Sequence, residues 1–105
     1  MFPKGGMGGM VKQAQEMKKK INQVQDELEK LDIEGQSGGG MVKVTVNGKK
    51  DVKSVRIDRN VLNEEVDMVE DLILAAINKA MDNADEISKD KMASLTGGLN
   101  IPGLF

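Results

Sequence analysis

Four lysines, Lys12, Lys18, Lys19 and Lys20, fall within nine residues of one segment, and Glu16 is the one acid among them. Lysine ammonium groups at that density are suited to successive phosphates along a nucleic-acid backbone. The other chemistries a sequence can advertise are poorly supplied. The 105-residue chain contains no His and no Cys, so it lacks the commonest general base, the commonest transition-metal ligand and any thiolate. Ser37, Ser54, Ser88 and Ser94 therefore have no imidazole to activate them. Gly5-Gly6-Met7-Gly8-Gly9 and Gly38-Gly39-Gly40 lack the Gly-Lys-Ser/Thr ending of a phosphate loop and read as flexible hinges. Glu64, Glu65, Asp67, Glu70 and Asp71 lack EF-hand spacing and read as solvated helix surface. No catalytic constellation, metal site, cofactor or small-molecule substrate is expected.

The lysines must be carried by an element, and the same segment shows which. Met7, Ala14, Ile21 and Leu28 recur every seven positions, and Met10, Met17, Val24 and Leu31 form a second such row. The rows alternate at spacings of three and four, which makes one narrow apolar stripe on a helix from about Gly9 to Asp32. Such a helix is roughly 35 Å long. The stripe suits one partner helix, either the later helix of this chain or a second copy. The lysines lie off the stripe and face water.

From Met41 the periodicity changes. Val42, Val44 and Val46 alternate with Lys43 and Thr45, as in a half-buried strand. Asn47-Gly48 signals a hairpin. The return strand, about Val52 to Asp58, places Val55 and Ile57 on one face. Val52 has the wrong parity for that face, which points to a bulge or to a place in the turn. A third short strand at about Ile33–Ser37 would support a pair that is marginal alone. A second long helix runs from near Asn63 to about Leu95, with an acidic first turn and an alanine-rich stripe that should pack closely over Val69–Met81. Residues 1–9 read as a flexible lead-in, and residues 96–105 as a tail that is either docked or disordered. The whole is one α+β domain: helix, two or three antiparallel strands, helix.

Net charge is −2, but it is distributed in blocks. Residues 1–25 carry five lysines against Glu16, and residues 61–86 carry eight acids against Lys79. Separate basic surfaces on an acidic background favour solubility together with a local anionic partner. The two Phe, at positions 2 and 105, are the only aromatics, so base stacking is not the means of binding. With no long apolar run, the chain reads as soluble and cytoplasmic, with no membrane partner.

Taken together, the chain resembles the YbaB/EbfC nucleoid-associated proteins of bacteria. The resemblance rests on the Gly/Met-rich start before a Lys/Gln helix, on Gly38-Gly39-Gly40-Met41-Val42-Lys43-Val44-Thr45-Val46-Asn47-Gly48, on Glu70-Asp71-Leu72-Ile73 through Ala75-Ala76-Ile77-Asn78-Lys79-Ala80, and on Leu95-Thr96-Gly97-Gly98-Leu99-Asn100-Ile101-Pro102-Gly103. It implies a tweezer-like homodimer located at the nucleoid, which binds double-stranded DNA with low sequence preference and organises the chromosome. The implied arms are Met10–Ile21 and Ile87–Leu95, offering Lys12, Lys18, Lys19, Lys20, Lys89 and Lys91. The body and dimer packing would fall to Val24, Leu28, Leu31, Val42, Val44, Val46, Val55, Ile57, Leu72, Ile73 and Ile77. On this reading the seam around Met10 and Met17 braces the arm against the other long helix. The alternative is a scaffold that captures a partner protein through the helical seam or the apolar tail.

Overall fold

The computed structural model describes residues 4–96, with side chains from 9 to 95. Helix α1 spans Lys4–Lys30, strand β1 Ile33–Ser37, strand β2 Val42–Val46, strand β3 Val52–Ile57 and helix α2 Val66–Thr96. One 3-10 turn, Gly38–Gly40, joins β1 to β2, and another, Arg59–Asn63, follows β3. The three strands form one antiparallel sheet in the order β1-β2-β3. The architecture is the expected α+β, with the third strand present. The expected tail beyond Thr96 lies outside the described residues.

The boundaries shift where local chemistry overrides pattern. Helix α1 begins at Lys4 rather than near Gly9, because adding a turn to an existing helix is easier than starting one, even through glycine. Helix α2 begins at Val66 rather than near Asn63. The Asp58 carboxylate accepts the Asn60 N–H at 2.9 Å and starts a 3-10 turn instead, which leaves Glu64 and Glu65 ahead of the helix. The Gly38–Gly40 segment is a defined turn rather than a hinge. All three residues have positive φ, between 60° and 94°, a backbone that side chains other than glycine resist.

The core lies between α2 and the β1–β2 half of the sheet. Val42, Val44 and Val46 are fully buried, as are Ala76, Ala80 and Ala84 from α2. Leu72, Ile73 and Ile77 pack half-buried against that cluster. The alanines let the helix backbone press onto β1, as the sequence led us to expect over Val69–Met81. A Cβ built on Gly35 would stand 2.2 Å from the Ala80 backbone nitrogen and 2.5 Å from the Ala76 carbonyl oxygen. Two side chains tie the same surfaces at their ends. The Ser37 hydroxyl donates to the Leu72 carbonyl, and Asn83 Nδ2 donates to the Glu34 carbonyl at 3.0 Å. Val61 of the second 3-10 turn is fully buried and plugs one end, a role its short, aperiodic segment did not advertise.

Strand β3 departs from expectation. Val55 pairs with Val44 and Ile57 with Val42, so they share the core-side face, yet they stay 44% and 39% exposed. Alternation assigned the face correctly, but α2 lies mainly over β1 and β2 and stops short of β3. The Val52 parity problem is resolved by a bulge: Thr45 pairs with Ser54 but Val46 with Val52, leaving Lys53 as the extra residue. Val52 thereby joins Val55 and Ile57 on one uncovered apolar face.

Candidate nucleic-acid interface

The lysine-bearing helix is held at its C-terminal end by the β2–β3 loop. A helix leaves its last carbonyls without intrahelical partners. Here the loop supplies them. Gly48 N–H donates to the Leu28 carbonyl at 2.7 Å, and Asn47 Nδ2 donates to the Glu29 carbonyl at 3.2 Å. Asn47 Oδ1 in turn accepts the N–H groups of Lys49 and Asp51, each at 2.9 Å, and Nδ2 also reaches Asp51 Oδ2 at 3.1 Å. Asn47 is buried and all its side-chain polar atoms are satisfied, which rigidifies the loop. Gly48 is needed for close approach: a Cβ there would lie 2.7 Å from Leu28 Cβ. Leu28, expected in the body, is 1% exposed. Ion pairs Lys49–Glu29 at 3.5 Å and Lys53–Asp32 at 2.6 Å surround the junction.

From that anchor α1 runs outward, past the end of α2. Glu27 pairs with Lys91 at 3.6 Å, and Val24 faces Ile87 and Leu95 across a shallow groove. The segment Ile87–Leu95 therefore lies along Val24–Leu31. Among the described residues α2 reaches only Thr96, so it does not run beside the Met10 end of the Met10–Ile21 stretch, and the expected bracing is corrected there. Two antiparallel helices overlap only as far as the shorter reach, and α2 ends at Thr96. Exposure rises accordingly along the stripe. Val24, Ile21 and Met17 are half-buried, Ala14 is exposed and Met10 is 73% exposed. The molecule is correspondingly elongated, 76 × 24 × 17 Å. Its radius of gyration is 20.3 Å, where a compact chain of this length has about 13 Å.

Lys12, Lys18, Lys19 and Lys20 are exposed on this projecting part. None forms an ion pair among the described residues. They form a cationic surface in which Glu16, one turn from Lys12, Lys19 and Lys20, is the single acid. Lys89 on α2 is also exposed. Lys91 differs: its ammonium is already engaged by Glu27 at the groove edge. The structure brings Lys12 through Lys20 together on one helix and leaves Lys89 and Lys91 nearer the body.

Two further cations were not singled out by the sequence. Lys43 on β2 stands directly opposite Arg56 on β3, both exposed on the sheet face away from α2. Alternation marked Lys43 as water-facing, but its cross-strand neighbour depends on the register. Among the described residues no group of three or more acids is placed to hold a metal ion, and no helix is long and apolar enough to cross a membrane.

The family model of the YbaB/EbfC DNA-binding family matches residues 4–99. The chain is 48% identical over 106 aligned positions to Nucleoid-associated protein TTE0040 of Caldanaerobacter subterraneus subsp. tengcongensis, covering 99% of this chain and 96% of that protein. It is similar in fold to the crystal structure of an uncharacterized protein, HP0035, from Helicobacter pylori. That match has a TM-score of 0.73 at 25% identity and covers 92% of this chain and 100% of the other. An α+β chain with a lysine-bearing helix, matched along nearly its whole length, belongs to the YbaB/EbfC DNA-binding family.

Proposed function

We propose that the chain works as a homodimer that grips duplex DNA through the projecting parts of its two α1 helices. In this reading it sits on the nucleoid in the cytoplasm, organises the chromosome with low sequence preference and so influences gene expression. Membership of a nucleoid-associated DNA-binding family, which is not an enzyme family, supplies DNA as the partner. The observation that carries the mode of binding is the exposed cluster Lys12, Lys18, Lys19 and Lys20, without an ion pair among the described residues, on the part of α1 that outruns α2. These groups meet phosphates rather than bases, so they position DNA without reading its sequence. The acidic segment 61–86 sits toward the body, away from this surface.

The dimer is supported by the uncovered face of β3. Val52, Val55 and Ile57 continue the core face of the sheet, and Leu74 on α2 is 57% exposed. An edge strand with an apolar face is a liability unless something covers it, and a second copy does so symmetrically. Pairing brings two arms to one duplex and doubles the phosphate contacts.

A mobility shift with duplex DNA at ~0.15 M salt, where weak surface attraction is already screened, tests the proposal. Binding by the natural sequence and its loss in the triple variant Lys18→Glu, Lys19→Glu, Lys20→Glu is expected. Undiminished binding by that variant would refute the arm as the site.

A further inference from the structure

Asn47-Gly48 is the one Asn-Gly pair in the chain, and such a pair carries a reactivity of its own. Glycine has no Cβ to crowd its nitrogen, so the Gly48 nitrogen can attack Asn47 Cγ. The nitrogen gives up its proton to base and bonds to Cγ. The Cγ–Nδ2 bond breaks, and Nδ2 leaves as ammonia with a proton from water. The five-membered imide then takes up one water and opens to aspartate or, through its other carbonyl, to isoaspartate.

The fold holds each group in that reaction away from it. The attacking group, Gly48 N–H, is donated to the Leu28 carbonyl at 2.7 Å. The leaving group, Nδ2, donates to the Glu29 carbonyl at 3.2 Å and to Asp51 Oδ2 at 3.1 Å. Oδ1 accepts the Lys49 and Asp51 N–H groups, so the amide plane is fixed at both ends. The Asn47 main chain is pinned as well: its N–H donates to the Asp51 carbonyl and its carbonyl accepts the Lys50 N–H, both at 3.0 Å. Asn47 and Gly48 are buried, which keeps base and water from them. The bonds to Leu28 and Glu29 belong to the last turn of α1. Lifting that turn frees the nucleophile and loosens the leaving group together.

The products do not fit the place. Aspartate at position 47 offers a carboxylate oxygen where Nδ2 donated. That oxygen faces the Glu29 carbonyl and the Asp51 carboxylate with no proton to share between them. Isoaspartate adds a methylene to the main chain and shifts Gly48 out of its close contact with Leu28.

We propose that Asn47 is a deamidation site gated by the end of α1. It is inert while Leu28 and Glu29 hold the loop, reactive once the last turn of α1 lifts, and after reaction unable to hold α1 again. Local opening of a helix end is thereby turned into a permanent loss of the anchor that carries the arm. The inference rests on the cap alone and holds whether or not the arm binds DNA.

The full chain is incubated at mildly alkaline pH, folded or unfolded in guanidinium chloride, and conversion of Asn47 is followed by peptide mass spectrometry. The folded chain is expected to convert more slowly by at least about tenfold, because reaction waits on local opening. Equal rates would overturn the proposal. Leu28→Ala should loosen the cap and raise conversion in the folded chain several-fold, in step with faster exchange of the Gly48 amide, while the amides of Ala76, Ala80 and Ala84 stay protected. Conversion that stays slow as the Gly48 amide exchanges faster would rule out the cap as the gate. Asn47→Asp, which carries the product from the start and needs no reaction, should speed amide exchange across residues 27–31 several-fold. Unchanged exchange there would contradict the loss of the anchor.

Discussion

At the scale of single residues, Asn47 does more than its place in a turn suggests. Asn-Gly pairs mark hairpins because both residues accept positive φ. Here the positive φ in the loop belongs to Lys50, and Asn47 is a buried hub that ties the loop to itself and to the end of α1. Asn47→Ala would strand the Lys49 and Asp51 N–H groups and the Glu29 carbonyl. A loss of about 2–3 kcal/mol is expected in denaturant unfolding at fixed protein concentration. Gly35 is the other sensitive position. Gly35→Ala puts a methyl into the Ala76–Ala80 backbone, and rigid backbone cannot step aside as a side chain can. A cost of about 3 kcal/mol or more should appear in the same measurement. Neither role was legible in the sequence beyond "turn" and "strand end", because each depends on a contact with a distant element. The four arm lysines were legible, since their exposure follows from helical phase alone.

At the scale of elements, helix phase and strand alternation carried far, and the extent of overlap did not. The stripe on α1 identified the packed face from Val24 to Leu31, and the valines of β2 identified the core face. What the pattern left open was how far α2 covers each surface. It covers β1 and β2 but not β3, and α1 only as far as about Val24. That footprint is set by the Gly35 contact and the cap at Asn47-Gly48, neither of which leaves a periodic trace. Two outcomes follow from it. Val55→Asp combined with Ile57→Asp should convert the proposed dimer to monomer in light scattering while far-UV circular dichroism stays helical, because these side chains are outside the monomer core. A dimer that persists would place the interface elsewhere. In the arm, a Cβ added at Gly9 meets nothing within 4 Å. Gly9→Ala should therefore raise helix content, contributing about 0.5–1 kcal/mol locally, with little change in the main unfolding transition.

At the scale of the whole molecule, charge segregation reconciles a net charge of −2 with DNA binding. The acidic residues of segment 61–86 lie between the second 3-10 turn and α2, at Glu64 and Glu65, and on α2 from Asp67 to Glu86, toward the body. The arm lysines are carried outward on the part of α1 that extends past it. An elongated shape keeps the two apart by more than a screening length of about 8 Å at physiological salt. The central claim is that eight arm lysines in a dimer contact phosphate, and it is tested most directly by the salt dependence of affinity for duplex DNA. The logarithm of the association constant plotted against the logarithm of salt concentration should fall with a slope of about −7. Reversing Lys18, Lys19 and Lys20 should flatten it sharply. A slope near zero, or one that the reversal leaves unchanged, would contradict the account.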